Sequence, residues 1–399
     1  MRTLNIGIIG LGCVGMGVVE ILQRNQDWIA QRCGARLRLH RGVVRDLSKK
    51  RALHFPLSDR VQDILDDPDI DIVVELMGGV QEAFGIAKQV LNRNKAFVTA
   101  NKAMLAQHYH SLSQMAKQPL GFEASVGGGI PIISALQDGL GANQICQLSG
   151  VLNGTSNFIL EQMQLGANFQ QALQQAQALG YAEADPSLDI NGEDSAHKLL
   201  ILATLAFHTH PTLAYLEGIE NIENVDIQQA KHLGYSIKLL ARAQRQGRHL
   251  ALSVRPTLIP QGHFLAQVHG VMNGVQVVGD CVGETFFYGA GAGGLASASA
   301  VVSDLMGVAK NPKPAPLVEL ITYAHTQIPQ PYYLRTMAFD FPNLQSALQD
   351  HGIALASHHV ESSLSICITQ PTLDSHLQTA LASLESCSQR VRAFCVYES

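Results

Sequence analysis

The sequence predicts an α/β fold in three parts: an N-terminal parallel sheet, a mixed α+β middle and a C-terminal βαββαβ unit. Over the first 130 residues, short β-branched runs alternate with longer amphipathic segments: "NIGIIGL", "VGMGVVEILQRN", "LRLHRGVVR", "DRVQDILDD", "DIVVELMGG", "QEAFGIAKQVLNRN", "AFVTAN". Strands recurring about 30 residues apart give the rhythm of βαβ units. Residues 331–399 instead run strand "YYLRTMAFD", helix "NLQSALQDHG", strands "IALASHHVE" and "LSICITQ", helix "LDSHLQTALASL", strand "RVRAFCVYE". That order is ferredoxin-like.

Between these ends, residues 131–310 carry long helical stretches, alternating strands ("LALSVRPTLI", "FLAQVHGVMNGVQVVG") and the glycine-rich "FFYGAGAGGLASASAVVSDL". They read as a second, α+β domain. The proline-marked 311–330, holding part of "KNPKPAP" and the start of "QIPQPYY", reads as a linker before the C-terminal unit. A chain of 399 residues with 46% hydrophobic and 15% charged content is globular and long enough for two or three domains. A net charge of -5 and no long block of like charge argue against nucleic-acid or anionic-membrane partners. The N-terminus enters a strand within a few residues, and no apolar run reaches the roughly 18 residues of a membrane span. A soluble, cytoplasmic protein is expected. The seven cysteines are scattered and never in CxxC spacing, so neither a disulfide framework nor a zinc site is indicated. The pairs "HYH" (108, 110), "HTH" (208, 210) and "HH" (358, 359) lack matched acids and read as ordinary histidines.

"IGIIGLGCVGMGVVEIL" places Gly10, Gly12 and Gly15 as GxGxxG between the first strand and first helix, with Cys13 and Val14 inside it. The spacing gives a tight turn, backbone approach to a pyrophosphate and close helix–strand packing, which points to a dinucleotide. The second strand ends "VVRDLSKKR". Arg45 with a neighbouring lysine suits a 2′-phosphate, so NADP is preferred over NAD; a solvated basic turn is the bland reading. "FVTANKAMLA" sets Asn101 and Lys102 just after an apolar strand, at the sheet edge where α/β proteins bind ligands. A solvent-facing helix start accounts for it equally well. In "FEASVGGGIPIISAL", Glu123 precedes Gly127, Gly128 and Gly129, which turn main-chain groups inward or form a hinge. "YAEADPSLDINGEDSAHKLLILATLAF" sets Glu183, Asp185, Asp189, Glu193 and Asp194 before an apolar helix whose first turns carry Lys198. An ammonium beside apolar surface needs a carboxylate, and Glu183 and Asp189 are the expected partners. A structural ion pair and a proton donor to a carbonyl oxygen both fit.

In this order the motifs resemble homoserine dehydrogenase over nearly all of the first 310 residues: "GLGCVGMG", "ELMGG", "TANKA", "EASVGGGIPII", "LNGTSNFIL", "GYAEADPSLDINGEDSAHKL" and "YGAGAGGLASASAVVSDL". The resemblance implies a Rossmann domain (1–130), a catalytic and dimerisation domain (131–310) and a short ACT-like domain (331–399). It also implies nicotinamide-dependent interconversion of L-aspartate 4-semialdehyde and L-homoserine, in the route to threonine, methionine and isoleucine, by a homodimer or a tetramer built through the C-terminal domain.

By position, Lys198 is similar to the family's proton donor and Lys102 to its second active-site lysine. Glu183 is similar to the residue holding the substrate amino group, and Asp189 to the acid orienting substrate and lysines. Gly10, Gly12, Cys13, Val14, Gly15, Arg45, Lys102 and Gly289 fall on cofactor-binding positions. Main-chain oxygens of Glu123, Val126, Gly128 and Ile130 fall on a monovalent cation site for sodium or potassium. The chain departs from the family pattern at Ala290, where proline is usual, and at "DFPNLQSAL", which lacks the usual aspartate, proline and glycine run of an effector site. An effector-binding and a purely structural C-terminal domain therefore both stand. Two other classes were weighed: another two-domain oxidoreductase on a semialdehyde or keto acid, and a nucleotide-binding sensor without turnover. The middle-domain motifs oppose the first, and the joint presence of Lys102, Glu183, Asp189 and Lys198 opposes the second.

Overall fold

The computed structural model describes residues 1–310, 323–325, 327–361, 363–384 and 391–398. Most of the 311–330 segment expected to be a linker lies outside them. The chain forms two compact units interleaved in sequence: residues 1–144, 200–210 and 287–321, and residues 145–199, 211–286 and 322–399.

The first unit holds a six-stranded parallel sheet of β1 (Arg2–Ile9), β2 (Ala35–Val43), β3 (Leu57–Ser58), β4 (Ile72–Glu75), β5 (Ala96–Thr99) and β6 (Leu120–Gly121), in order β3-β2-β1-β4-β5-β6. The order reverses beside β1, and ligands of open parallel sheets bind at the carboxyl ends of the strands there. Both faces are covered, so the central strands lack alternation: all four residues of β4 and of β5 are buried. On one face, helix Cys13–Arg24 and the small-residue helix Gly294–Lys310 share the core with β1. They approach so closely that a Cβ on Gly17 would stand 2.8 Å from Ala298 Cβ. Small residues in both helices permit this contact.

The second unit adds β7 (Ile145–Val151), β8 (Tyr215–Leu216), β9 (Tyr235–Gln246), β10 (His249–Pro260), β11 (Met272–Gly279), β12 (Gly283–Ala290), β13 (Ala324–His325), β14 (Tyr332–Met337), β15 (Leu355–Glu361), β16 (Leu364–Thr369) and β17 (Arg392–Val396). Its sheet runs β12-β11-β7-β9-β10-β17-β14-β16-β15. The C-terminal strands therefore continue the middle sheet, through parallel pairing of β10 with β17 at Thr257–Cys395 and Leu258–Val396. Buried polar groups reinforce the join. Arg255 on β10 donates to Asp374 (3.0 Å), and Arg335 on β14 meets Asp226 (2.6 Å). Tyr397 donates to Gln276 (2.7 Å). Within the C-terminal part the strand–helix order is the expected βαββαβ, its strands neighbouring one another as β17-β14-β16-β15.

Two sequence expectations need correction. "FLAQ" (264–267) is a 3₁₀ turn and the strand begins at Met272, because the Asn157 amide binds the carbonyls of Val268 and Gly270 and holds the chain off the sheet. "AFD" (338–340) likewise turns after β14 instead of extending it. The six described cysteines are free thiols. No helix among the described residues is long and apolar enough to cross a membrane.

Candidate active site

At the carboxyl end of β1, Gly10 adopts φ +97, and a Cβ there would meet Leu76 O at 2.6 Å. A Cβ on Gly15 would lie 2.3 Å from Gly10 O, so this glycine is required by packing of helix on turn. Gly12 differs: it is the N-cap of helix Cys13–Arg24, it is exposed, and a Cβ on it would meet nothing within 4 Å. The space before Gly12 and the helix N-terminus behind it fit a pyrophosphate. Cys13 is exposed and Val14 half-buried. Arg45 is exposed two residues past the end of β2. The neighbouring Asp46 is held by the hydroxyl and amide of Ser48, whose hydrogen bonds keep its carboxyl below the usual range.

Lys102 opens helix Lys102–Met115 just past β5 and is half-buried. Its placement is built from below. Fully buried Glu75, at the end of β4, accepts from Thr99 Oγ1 (2.6 Å) and from the Met77 amide (2.8 Å). Thr99 Oγ1 accepts from the Asn101 amide (3.0 Å). The Asn101 side chain caps the helix through Met104 N (3.1 Å) and donates to Gly79 O (2.5 Å). Burial raises the Glu75 carboxyl above its ordinary value, against the pull of those hydrogen bonds. Glu75 was visible in the sequence only as part of a motif.

Glu123 is buried, and its carboxylate accepts from the amides of Ile133 (2.8 Å) and Ser134 (2.9 Å), capping the short helix Ile132–Ser134. Its own amide donates to Asp304 (2.9 Å). Burial, then the neighbouring Glu123 charge, raises the Asp304 carboxyl well above its usual value. Gly127 and Gly128 follow with φ +71 and +53, and a Cβ on Gly128 would stand 2.7 Å from the Gly291 carbonyl carbon. Ala290 O accepts from Gly129 N (2.9 Å), and a Cβ on Gly289 would meet Ile130 at 3.1 Å. The two glycine-rich segments thus pack backbone to backbone. In this loop the carbonyls of Glu123 and Ile130 accept from Val126 N (3.5 Å) and Ile132 N (2.8 Å), each keeping a second lone pair.

In the second unit, Gly192 (φ +88) turns the chain and Asn191 Oδ1 accepts from the Glu193 amide (3.0 Å) to start helix Glu193–Phe207. Lys198 lies one turn in, 7% exposed, and its Nζ donates to Asp194 Oδ2 (2.7 Å) and Leu152 O (2.5 Å). One carboxylate bonded to it is Asp194, four residues back on its own helix, a partner the sequence reading did not name. Asp189, on the short helix Ser187–Ile190, joins the cluster through Asn153, whose Nδ2 donates to Asp189 Oδ1 (2.6 Å) and Asp194 Oδ2 (2.9 Å). Glu183 is exposed in the loop before it, and its carbonyl accepts from Gln177 (3.2 Å).

Asn153 escaped the sequence reading, though "LNGTSN" is where a strand passes to a helix through an N-cap asparagine. Asp194 stands in the sequence among the acids before the helix, and its i,i+4 spacing to Lys198 is the available signal. Of the histidines, His110 and His210 meet ring to ring at 2.5 Å. None of the three pairs belongs to the group His40, Asp67 and Asp69, which among the described residues has metal-ligand spacing.

Residues 131–306 match the family model "Homoserine dehydrogenase", and residues 10–120 match "Homoserine dehydrogenase, NAD binding domain". The chain is 45% identical over 404 residues to a homoserine dehydrogenase of Helicobacter pylori, covering 96% of each chain. It resembles the crystal structure of a homoserine dehydrogenase from Thiobacillus denitrificans with a TM-score of 0.94 at 39% identity, covering 100% of this chain and 99% of that one. A hyperthermophilic archaeal homoserine dehydrogenase in complex with NADPH matches at a TM-score of 0.67 and 26% identity, covering 79% of this chain and 100% of the other.

Proposed function

The chain belongs to the homoserine dehydrogenase family, and on that premise we propose how its residues carry out the reaction. As a homoserine dehydrogenase it is a nicotinamide-dependent oxidoreductase acting on a CH–OH group, interconverting L-aspartate 4-semialdehyde and L-homoserine in the biosynthesis of threonine, methionine and isoleucine.

The observation that carries the reading is Lys198, a buried amine bonded to one carboxylate and one carbonyl. Lys198 gives a proton from Nζ to the aldehyde oxygen in reduction and takes it back in oxidation. Asp194 stabilises the ammonium, and Asp189 orients substrate beside it. Glu183, exposed at the loop, offers its carboxylate to the substrate ammonium. Lys102 attracts the substrate's other charge and the cofactor's reactive end. The nicotinamide, when bound, supplies or accepts the hydride.

Gly10, Gly12 and Gly15 with the amides of Cys13 and Val14 hold the pyrophosphate, and Gly289 borders the same cofactor. Support comes from the open space before Gly12. The preference for NADP over NAD rests on exposed Arg45, suited to a 2′-phosphate. The carbonyls of Glu123, Val126, Gly128 and Ile130 take a sodium or potassium ion. The positive φ angles at Gly127 and Gly128, which bend this loop, support that assignment.

The division into 1–130, 131–310 and 331–399, the homodimer or C-terminally built tetramer, and the cytoplasmic location belong to the same proposal. So does an ACT-like C-terminal part, supported by its βαββαβ order. The test follows NADPH and NADH absorbance in parallel with L-aspartate 4-semialdehyde, with and without threonine. Substrate-dependent oxidation, faster with NADPH, is expected; folded protein that binds NADPH yet oxidises neither cofactor would overturn the reading.

A further inference from the structure

We propose that Asn153 is a positioning residue for the proton relay, setting both the place and the proton affinity of Lys198. The inference rests on the reading of Lys198 as proton donor and deepens it.

Asn153 sits between β7 and helix Gly154–Gln164, 4% exposed, and every polar atom of its side chain is used. Its Oδ1 accepts from Ser156 N (2.7 Å), which pins the asparagine to the start of that helix. Its two amide hydrogens then serve two acids from one nitrogen, Asp189 Oδ1 at 2.6 Å and Asp194 Oδ2 at 2.9 Å. Asp194 Oδ2 is the oxygen that meets Lys198 Nζ at 2.7 Å. The residue before Asn153 supplies the other contact to that amine, Leu152 O at 2.5 Å. One turn of backbone, residues 152 and 153, therefore fixes the lysine directly and through its counter-ion. The following glycine is part of the same device: a Cβ on Gly154 would stand 2.6 Å from Val271 O, so helix and strand lock the turn in place.

The choice of an amide has a chemical consequence. Two carboxylates, one of them bonded to the ammonium, meet at one amide nitrogen, and this neutral double donor holds them together without adding charge. An acid at this position would cap the helix equally well, yet it would face both carboxylates with a third negative charge and strengthen the grip on the lysine's proton. In homoserine oxidation Lys198 must first be neutral to accept a proton. The amide therefore joins the two acids without adding to their hold on that proton.

The test uses the full-length enzyme and two variants that retain a good helix cap, N153D and N153S, beside K198A. N153D is expected to lower kcat for homoserine oxidation by about 10²-fold, and to move the acid limb of its pH profile upward by about one unit. NADPH affinity should be unchanged, since no residue of the nucleotide turn is touched. N153S removes the two N–H donors of the amide, leaving a single shorter hydroxyl, and keeps the cap, so kcat should fall more than KM rises. A merely structural residue would not move the pH limb. Parental kcat and a superimposable profile in folded N153D would overturn the proposal, as would parental kcat in N153S if N153D fails to fold. K198A separates the two claims. If it is inactive while the Asn153 variants are parental, only the role of Asn153 falls. If it turns over normally, the lysine reading falls and takes this one with it.

Discussion

The two lysines assigned to the proposed reaction are held by opposite means. In the first unit, Lys102 stands at the start of a helix that is placed by backbone contacts, glycine turns and one capping asparagine above a buried Glu75. In the second, Lys198 is gripped at its amine by Asp194 and Leu152 O, with Asn153 tying in Asp189. Each arrangement uses an asparagine whose Oδ1 caps a helix while its Nδ2 reaches elsewhere: to the carbonyl of Gly79 in one case, to two carboxylates in the other. On the proposed reading the first presents a charge and the second controls a proton.

That contrast breaks first at the lysines themselves. Lys198→Ala should lower turnover by about 10²- to 10⁴-fold, the usual worth of a positioned acid–base group, with NADPH binding nearly intact. Lys102→Ala should cost less and show largely in KM, because a charge that attracts is lost and no proton transfer is. Steady-state kinetics beside NADPH titration decide it; equal losses of turnover and binding in Lys198→Ala would mean that the residue mainly holds the fold.

The glycines of the nucleotide turn sharpen the backbone side of the comparison. Gly15→Ala places a methyl group 2.3 Å from Gly10 O and should destabilise the protein by about 1–3 kcal/mol. The Cβ of Gly12→Val meets no protein atom within 4 Å, so the variant should melt close to the parent while weakening NADPH binding about tenfold or more. Thermal melts with and without NADPH separate the two. A Gly12→Val protein that binds NADPH normally would remove the pyrophosphate from this turn.

Legibility in the sequence followed the same line. A glycine that must turn left-handed or admit a close neighbour leaves a trace in residue type, so Gly10, Gly12 and Gly15 and the loop at Gly127 and Gly128 could be read directly, as could the βαβ rhythm. Side-chain networks leave less. Lys198 stands out because it interrupts an apolar run, but helical i,i+4 pairing with Asp194 competes with any carboxylate on the preceding loop and only the fold weighs them. Asn153 was silent for a further reason: its capping role explains its presence fully, and the second use of its amide depends on two acids 36 and 41 residues away in sequence. Continuity of the C-terminal strands with the middle sheet was likewise invisible, because pairing of β10 with β17 spans more than a hundred residues and is marked by no motif.

The smallest expected effect concerns Asp304, which the backbone-built unit holds in a second carboxyl pair. Burial and the Glu123 charge raise its carboxyl well above the ordinary value, so the fold favours the protonated form. A group whose folded value is raised contributes stability that is fully present below its unfolded value of about 4 and is lost as pH rises through the folded one. Asp304→Asn cannot ionise, and its side-chain oxygen can still accept from the Glu123 amide that Asp304 binds at 2.9 Å. Its melting temperature should therefore gain on the parent's by a few degrees over the pH range that starts above about 4. Parallel curves for the two proteins across that range would show that Asp304 ionises as easily folded as unfolded.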